Sequence, residues 1–534
     1  MIWLFVFEQP FLFAEVVMAH FYSEKCVFSS VGDIRNRHVT VMGLGLNGGG
    51  EAAVRFFLSH GAFVTVTDMK TEEQLLPTIK SIEADRSLDR SRLVYHLGGH
   101  ELRDFETADC VIKNPGVKYD GNRFLAASKA VETDISIFLR FSDAPVIAVT
   151  GSKGKSSTVS AAHFGLVQAG FSCYLGGNIT VSPLTFFDKV NSGTPVVLEL
   201  SSWQLADLRG RNVLRPKISL ITKIVPDHQN WYGGMEPYVA DKRLIYADQA
   251  SDSYSIFDSD GDEPGAGPSC GGTWGDFFAS ESRARVLRYG KAGLKPGEFG
   301  VWQETGGDGT FRGKALLPGM ETPEVILDKL AVPGEHMRTN VLNAALIMYL
   351  MGVSAERTAG ICAEWKGIPH RLQFFYSTVI AGREYRFFND SAATVPESAA
   401  AAVASFGRPV FLVTGGTDKG LDLSPLTDAL SGGTDAVLGI YLLEGTATDK
   451  IVPVLLERGI HFEGPFASLD ELMAAMKYDF SAEKNFADKE KSGRSGSLQP
   501  EIVVFSPGAT SFGMFTNEFD RGEKFMDAVK RTFC

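Results

Sequence analysis

The stretch VIAVTGSKGKSSTV, residues 146–159, joins an apolar run to a glycine-rich turn that continues into a lysine and three hydroxyl-bearing residues. An apolar strand, a glycine turn, a lysine and a hydroxyl are typical of a loop that cradles phosphate groups ahead of a helix. The usual pattern is G-x-x-x-x-G-K-[ST], and the position of its first glycine is here Val149. From these residues alone, the turn is either a shortened nucleotide loop or a glycine-rich turn that happens to carry a lysine.

Further chemistry follows the next strand-like runs. Glu199 ends the apolar run of LELSSWQL, Asp227 and His228 follow KISLITKIV, and Lys242 lies on a predicted helix. Ligand sites in open α/β sheets gather at the carboxyl ends of strands, so the loop, Glu199 and His228 are expected to meet in one crevice. Taken singly, His228 is also compatible with a surface or hydrogen-bonded histidine, and Glu199 with a capping or solvated acid.

A second glycine motif lies near the start of the chain. GLGLNG, residues 43–48, is a G-x-G-x-x-G sequence between a strand-like and a helix-like run, and Asp68 ends the next strand. This spacing is typical of a dinucleotide site, in which glycines admit the pyrophosphate and the acid binds a ribose hydroxyl. A tight strand-to-helix turn without a ligand is the alternative.

Three segments alternate strand-like runs with helical stretches, which predicts an α/β protein with parallel sheets covered on both faces. The first contains HVTVMGLG and AFVTVTDMK, the second PVVLELSS and KISLITKIV, and the third RPVFLVTGG, AVLGIYLLEG and EIVVFSPG. Residues 251–276 and 481–500 are rich in glycine, serine and charged residues, and are interpreted as surface loops or disordered insertions.

Composition excludes some classes of protein. The net charge of −12 argues against a nucleic-acid binder, because phosphate backbones need a basic surface. Six scattered cysteines without a C-x-x-C pair predict neither a disulfide framework nor a zinc site, which favours the cytoplasm. The apolar start MIWLFVFEQPFLF lacks a basic segment and a cleavage site, so we expect no membrane insertion and hypothesise that Met18 is the natural start.

Taken together, these residues resemble the Mur ligases, whose phosphate loop is itself a short G-x-x-G-K-[ST]. The sequence is most similar to the branch of that family that adds D-glutamate to UDP-N-acetylmuramoyl-L-alanine, and the resemblance runs from about His38 to the C-terminus. It implies a Rossmann-like N-terminal domain, a central P-loop-type ATPase domain with a parallel sheet, and a Rossmann-like C-terminal domain. The implied segments are an arm at 1–37, a UDP-substrate domain at 38–143, an ATP domain at 144–367 with an insertion at about 251–315, and an amino-acid domain at 368–534 with an insertion at about 481–500.

The resemblance also implies site residues. The catalytic residues would be Lys155, His228, Lys242 and Arg371. ATP would contact Gly151, Ser152, Lys153, Gly154, Lys155, Ser156, Ser157, Asn340, Arg371 and Asp390. The UDP substrate would contact Leu46, Asn47, Asp68, Lys70, Asn114, Pro115, Gly116 and Asn178, and D-glutamate would contact Lys419, Ser511 and Phe512. Two Mg²⁺ sites would use Ser156, Glu199, His228 and Lys242, the last as a carbamate.

Two departures from the family pattern concern the amino-acid site. Ala392 stands where many of these enzymes have a lysine, and Gly513 stands where an aspartate is frequent. The first removes a positive charge that would otherwise be assigned to the phosphate or to glutamate.

The implied activity is formation of an amide through an acyl phosphate, with release of ADP and phosphate, in cytoplasmic peptidoglycan precursor synthesis by a monomer. Other muramyl ligases and folylpolyglutamate synthases share the ATP module and remain alternatives. An NAD-dependent oxidoreductase accounts for GLGLNG and Asp68 but leaves Lys155, Glu199 and His228 unexplained, and a non-catalytic nucleotide-binding regulator is the third reading.

Overall fold

The computed structural model describes residues 20–46, 48–179, 181–306, 310–332, 334–431, 437–481, 499–511 and 513–534. It divides into two compact units. The first comprises the described residues up to Ile326 together with Leu342–Thr358, and the second comprises Leu327–Val341 together with Ala359–Cys534. Over the residues that are described, no helix combines the length and the apolar character that crossing a membrane requires.

Strands and helices alternate along the chain. The strands are β1 His38–Met42, β2 Phe63–Asp68, β3 Leu93–Leu97, β4 Cys110–Lys113, β5 Val131–Glu132, β6 Val146–Thr150, β7 Tyr174–Gly177, β8 Val196–Glu199, β9 Ile218–Ile221, β10 Tyr254–Asp258, β11 Arg285–Gly290, β12 Gly300–Thr305, β13 Phe311–Leu316, β14 Glu324–Leu327, β15 Gln373–Ile380, β16 Arg383–Asn389, β17 Val410–Thr414, β18 Val437–Leu443, β19 Glu463–Phe466 and β20 Glu501–Phe505. The α-helices are α1 Gly49–Ser59, α2 Glu72–Ala84, α3 Leu102–Glu106, α4 Arg123–Ala126, α5 Asp134–Phe141, α6 Lys155–Gln168, α7 Ser202–Ala206, α8 Gln229–Tyr232, α9 Met235–Lys242, α10 Leu244–Ala247, α11 Trp274–Glu281, α12 Glu335–Leu350, α13 Ala355–Glu364, α14 Pro396–Ala404, α15 Ser424–Leu430, α16 Thr448–Glu457, α17 Leu469–Ser481 and α18 Glu518–Phe533. Short 3₁₀ helices span Val31–Ile34, Arg90–Arg92 and Pro183–Lys189.

The first sheet has the strand order β3-β2-β1-β4-β5, and its pairs are all parallel. Four of the five residues of β1 are buried, as its apolar sequence predicts. Because β1 lies between β2 and β4, the order reverses at β1, and the glycine loop that follows it lies at the switch point where such sheets bind ligands.

The central sheet has nine strands in the order β14-β13-β12-β11-β10-β9-β6-β8-β7. Pairing is parallel from β7 through to β12, and only the pair β12–β13 is antiparallel among the pairs whose register is described. β6 is buried at all five positions and lies between β8 and β9. The segments that follow these three strands therefore meet at one edge.

The third sheet, in the second unit, has the order β15-β16-β20-β17-β18-β19. Its pairs are parallel except for the edge hairpin β15–β16. Helices cover both faces of this sheet, and two apolar clusters result, one including Phe387, Phe505 and Phe525 and the other Leu412, Leu442 and Val504. The predicted α/β class with three parallel-rich sheets is confirmed.

The interpretation of residues 251–276 as a loop or a disordered insertion is wrong in part. β10 is a buried strand inside the central sheet, and α11 begins at Trp274, which is 4% exposed. Within 251–276, helix and strand are missing from 251–253 and from 259–273. The serine, glycine and aspartate residues around YSIFD hid a five-residue strand, and the rest of 251–315 adds β11–β13 to the same sheet. The domain boundaries themselves stay a prediction.

Other expectations fall outside the part of the chain that is described. The hypothesis on Met18 concerns residues 1–19, and most of the second insertion lies in 482–498. The described end of the N-terminal arm packs on the first unit, where Phe28 is 2% exposed and contacts Phe57.

The first and central sheets share one apolar core, and buried ion pairs connect them across their junction. The first sheet supplies Lys113 and Glu132, and the segment after α7 supplies Asp207 and Arg211. Lys113 Nζ lies 2.8 Å from Asp207 Oδ2, and Arg211 Nη1 lies 2.7 Å from Glu132 Oε2, with every one of these side chains at most 8% exposed. Breaking a buried pair leaves an uncompensated charge, so the junction tolerates single losses poorly.

Arg211→Met is expected to destabilise the protein by about 3 kcal/mol, because it leaves the Glu132 carboxylate buried with a weaker partner, Arg140 at 3.4 Å. Chemical denaturation followed by tryptophan fluorescence measures the effect. The matched control is Arg458→Met, which removes a more exposed ion pair with Asp428 and is expected to cost less than about 1 kcal/mol. Equal losses in the two variants would contradict the role given to the junction.

Candidate active site

The glycine turn after β6 has a conformation that depends on two glycines. Gly151 has φ 141°, and a Cβ there would lie 2.0 Å from Thr222 Oγ1, at the end of the neighbouring β9. Gly154 has φ 95° and caps α6, which starts at Lys155. Both positions lie in the left-handed region that favours glycine. The N-terminus of α6 therefore faces the carboxyl edge of the sheet, the orientation that binds anions.

Two lysine side chains converge on one carbonyl oxygen in this turn. Lys155 Nζ and Lys242 Nζ each donate to Gly151 O at 2.8 Å, and Lys155 Nζ also donates to Ser152 O at 3.0 Å. Lys242 is 1% exposed, and its burial, together with the positive charge of Lys155, holds the pKa of Lys242 well below its usual range. An amine with a lowered pKa is neutral over a wider range and is then a nucleophile.

Ser152 fastens the loop to the segment after β9. Its backbone N–H donates to Lys223 O at 2.9 Å, and its Oγ donates to Val225 O at 2.9 Å and accepts from Val225 N at 3.1 Å. The Tyr238 hydroxyl, on α9, donates to Ser152 Oγ at 3.0 Å. Lys242 Nζ lies 4.4 Å from the centre of the Tyr238 ring. Ser152 thus braces the loop from within. No motif in the sequence pointed to Tyr238.

Glu199 ends β8 as predicted, and its carboxylate is 2% exposed. Asn178 contacts it twice, through N–H to Glu199 O at 2.8 Å and through Nδ2 to Oε1 at 2.9 Å. A Cβ at Gly177 would lie 2.1 Å from Glu199 O, so glycine permits this close approach. Glu199 Oε2 is buried without a hydrogen-bond partner among the described residues. A buried carboxylate oxygen left without a donor fits a Mg²⁺ ligand, which prefers oxygen.

His228 lies at the same edge but is half exposed. It has φ 51°, in the left-handed region, and its ring centre lies 5.1 Å from that of Trp203 on α7. Strained conformations of this kind cluster at functional sites. Lys153, which is 70% exposed, points toward Asp227 at 3.7 Å. The predicted meeting of the loop, Glu199 and the His228 segment at one edge agrees with the strand order.

Among the residues described, one group of three acidic or histidine ligand atoms lies within 4.8 Å, and it is elsewhere: His96, Glu101 and Asp104 in the first region. His96 Nδ1 and Asp104 Oδ2 are 2.7 Å apart, which is a hydrogen-bonded pair. The metal set expected at Ser156, Glu199, His228 and Lys242 stays a prediction.

The glycine loop after β1 is held by Asp68. One carboxylate oxygen accepts from Gly45 N at 3.0 Å and the other from Lys70 N at 2.9 Å, so the acid shapes the loop and its own turn. Leu46 is 52% exposed at the tip of the loop, and Asn47 lies outside the described residues. Contacts of Leu46, Asp68 and Lys70 with a ligand stay a prediction.

The turn Asn114–Pro115–Gly116 lies beside that loop. Asn114 N donates to Met42 O at 3.2 Å, and Asn114 Oδ1 accepts from Gly116 N at 3.0 Å, which makes an asparagine-stabilised turn. The preceding Lys113 donates to Asn114 O and to Val117 O, and no motif in the sequence pointed to this role.

In the second unit, Arg371 is exposed and lies between two residues in the left-handed region, His370 with φ 63° and Leu372 with φ 42°. The backbone on both sides is fixed: Ala392 N donates to His370 O at 2.9 Å, and Leu372 N donates to Asp390 Oδ1 at 3.0 Å. Asp390 Oδ2 accepts from Ser506 Oγ at 2.6 Å. Asp390 therefore positions Arg371 through the chain next to it.

Lys419 and Ser511 belong to loops that are joined to each other. Thr417 and Thr510 exchange both backbone hydrogen bonds, and Lys419 Nζ lies 3.5 Å from Thr394 Oγ1. Lys419 lines a small cavity with Thr394, Gly508 and neighbouring residues of these loops. Ser511 is 5% exposed, and Phe512 lies outside the described residues.

Arg521 is the cation beneath these loops, and it was missed from the sequence. It is 1% exposed and donates to Ser391 Oγ, Ser391 O and Ala509 O at 2.8–3.0 Å. Burial lowers its pKa to about 10. It ties the segment around Asp390 to the one before Ser511. Asn340, also in the second unit, is 8% exposed on α12, and its contact with ATP stays a prediction.

Comparisons with known proteins bear on both regions of the first unit. A model of the Mur ligase middle domain matches residues 149–348, and one of the MurD-like Mur ligase N-terminal domain matches residues 37–136. The UDP-N-acetylmuramoylalanine--D-glutamate ligase of Treponema pallidum is 37% identical, over 94% of this chain and 98% of the relative. The enzyme of that name from Borreliella afzelii is 36% identical, over 93% and 98%.

A solved structure agrees in fold alone. The UDP-N-acetylmuramate-alanine ligase MurC of Thermotoga maritima is 15% identical, with a TM-score of 0.51 over 93% of this chain and 100% of that one.

A glycine loop ahead of a helix, a buried acid and two converging lysines at the edge of a parallel sheet are typical of nucleotide-binding α/β proteins. The particular family follows from near-full-length identity above 30%: the chain belongs to the Mur ligases, with an N-terminal domain of the MurD-like type. The oxidoreductase reading of GLGLNG has no support left.

The pKa of Asp390 gives a pH-dependent prediction. Burial raises it to about 6, so the folded protein binds this proton more tightly than the unfolded chain does. The resulting stability is fully present below about pH 4 and is lost as the pH rises to about 6. The difference in unfolding free energy between the wild type and Asp390→Asn should therefore fall by about 3 kcal/mol between pH 4 and pH 7.

Denaturant titrations across this pH range measure the difference. Asp422→Asn is the control, because hydrogen bonds from Ser424 lower the pKa of this exposed acid, and the same difference should then rise with pH. A flat profile for Asp390→Asn would mean that the buried carboxyl is already ionised at pH 4.

Proposed function

We propose that the protein is an ATP-dependent ligase that joins D-glutamate to UDP-N-acetylmuramoyl-L-alanine in peptidoglycan precursor synthesis in the cytoplasm, acting as a monomer. The observation that carries the proposal is the edge formed by β6, β8 and β9, where Lys155, Lys242 and Glu199 lie together. Near-full-length similarity to D-glutamate ligases supports the choice of substrates.

The chemistry explains why such an edge is needed. A carboxylate does not form an amide directly, because oxide is a poor leaving group. Transfer of the γ-phosphoryl group of ATP to the carboxylate gives an acyl phosphate. The amine of D-glutamate then attacks the carbonyl carbon, and phosphate leaves from the tetrahedral intermediate. Lys155, beside the N-terminus of α6, would neutralise charge on the transferring group, and Arg371 is proposed to have the same role.

Glu199 and Ser156 would hold Mg²⁺, and His228 and Lys242 a second ion. A bound Mg²⁺ neutralises phosphate oxygens during the transfer. The unpartnered Glu199 Oε2 supports the first of these sites. Lys242 fits the second only after a change of charge, since an ammonium repels a cation. Its lowered pKa favours the neutral amine, which reacts with carbon dioxide to give a carbamate.

In the second unit, Lys419 and Ser511 would bind D-glutamate, together with Phe512. Arg521 supports this assignment, because it fixes the loops before Ser511 and around Asp390 relative to each other. No lysine is supplied at 392, so the glutamate carboxylates would depend on Lys419.

Phosphate release from ATP and UDP-N-acetylmuramoyl-L-alanine, with and without D-glutamate, tests the function. We expect release that depends on D-glutamate, and a loss of about 10²–10³-fold in kcat for Lys155→Ala. Lys189→Ala, an exposed lysine in the same unit, is the control and should keep wild-type activity. Release that prefers L-alanine, a diamino acid or a dipeptide would assign the chain to another branch of the family.

Lys242→Ala tests the carbamate. The variant should lose most of its activity and regain part of it in formate or acetate, because a small carboxylate can occupy the vacated space and replace the missing acid. Lys242→Arg keeps a cation there and should not respond. An absence of rescue, with unchanged melting temperature and ATP binding, would show that Lys242 acts as an amine.

A further inference from the structure

Lys113 is a buried lysine whose ammonium has three partners. It is the last residue of β4 and is 2% exposed. Nζ donates to Val117 O at 2.8 Å and to Asn114 O at 3.2 Å, and it lies 2.8 Å from Asp207 Oδ2. Lys113 thus closes the turn that follows β4 in the first sheet, and it also joins this turn to the segment after α7 in the central domain.

The turn that Lys113 closes is seated on the first glycine loop. Val117 N donates back to Asn114 O at 3.0 Å, so the turn has its own hydrogen bond as well. Asn114 N is bonded to Met42 O, and a Cβ at Gly43 would lie 3.1 Å from Asn114 Cβ. The position of the turn therefore sets the shape of the pocket in which the glycine loop would receive a diphosphate.

Asp207 is itself fixed. It follows α7, whose N-terminus comes shortly after Glu199, and its second oxygen accepts from Tyr22 OH at 2.9 Å. Arg211 Nε donates to Asp207 O at 2.6 Å. The carboxylate therefore offers Lys113 a rigid anchor that belongs to the segment carrying Glu199.

We infer that Lys113 is a positioning residue that holds the Asn114–Val117 turn in its substrate-binding form and fixes its distance from the Glu199 segment. The inference rests on the proposed function, in which one substrate has its diphosphate at the first sheet and its reacting carboxylate at the central one. A buried cation is costly, and a smaller apolar residue could fill the space. An apolar residue at position 113 could stabilise the junction, but it could not donate hydrogen bonds to the turn.

Lys113→Met is the first variant. It removes the charged hydrogen bonds to the turn, so the dissociation constant for UDP-N-acetylmuramoyl-L-alanine should rise about 10- to 100-fold. The kcat at saturation and the KM for ATP and D-glutamate should change less than about threefold, because the phosphate loop is untouched. Calorimetric titration with the substrate, and with UDP alone, measures affinity apart from turnover.

Lys113→Met also strands the Asp207 carboxylate, so a loss of stability must be separated from a loss of positioning. The double variant Lys113→Met/Asp207→Asn removes the stranded charge while keeping an acceptor for Tyr22. Its melting temperature should recover toward that of the wild type, and its weakened substrate binding should remain. Glu132→Gln is the matched control: it breaks the other ion pair of the junction without touching the turn, and should lower stability but leave affinity unchanged.

Two results would overturn the inference. One is an equal loss of affinity in Glu132→Gln, and the other is recovered affinity in the double variant, since either would reduce Lys113 to a stabiliser of the junction. If the wild type binds UDP but catalyses no D-glutamate ligation, the proposed function fails, and the UDP affinities still decide the role of Lys113. If the wild type binds neither UDP nor the substrate, both fail.

Discussion

A single peptide oxygen, Gly151 O, receives the ammonium groups of Lys155 and Lys242. The two amines share this acceptor, and burial beside Lys155 lowers the pKa of Lys242, which favours the neutral form of its amine. The fixed position comes from Gly151 itself, whose missing Cβ lets the turn pass against Thr222. The sheet order then brings Glu199 to the same edge. The charge of Lys155 and the N-terminus of α6 make this edge favourable for an anion.

The two buried ion pairs at the junction have a different role, because they join the first sheet to the central sheet. The first sheet and the segment after α7 each contribute one cation and one anion. Neither surface therefore carries a net charge that would attract an unrelated acidic or basic protein. The apolar core continues across the junction. In the proposed reaction, this junction would keep constant the distance between the glycine loop of the first sheet and the phosphate loop of the central sheet.

The sequence predicted the three parallel sheets and the strand ends that carry the first unit's site, because apolar runs and glycine turns are local patterns. Lys155, Glu199, Lys242 and His228 were predicted as candidates in this way, and their roles stay predictions. Tyr238, Lys113 and Arg521 were not, since each acts on a segment far away in the chain and has no motif. β10 was not predicted, because it is a short strand among residues that are typical of loops. The approach of Asn340, Arg371 and Asp390 to ATP stays a prediction.

The brace around Ser152 has a consequence for binding kinetics. Lys223, Val225 and Tyr238 hold the phosphate loop through hydrogen bonds within the protein. Binding of the proposed nucleotide would therefore carry little of the entropic cost of ordering a flexible loop. Diffusion and electrostatic attraction should then set the association rate. Association slower than this would indicate that another part of the protein has to rearrange.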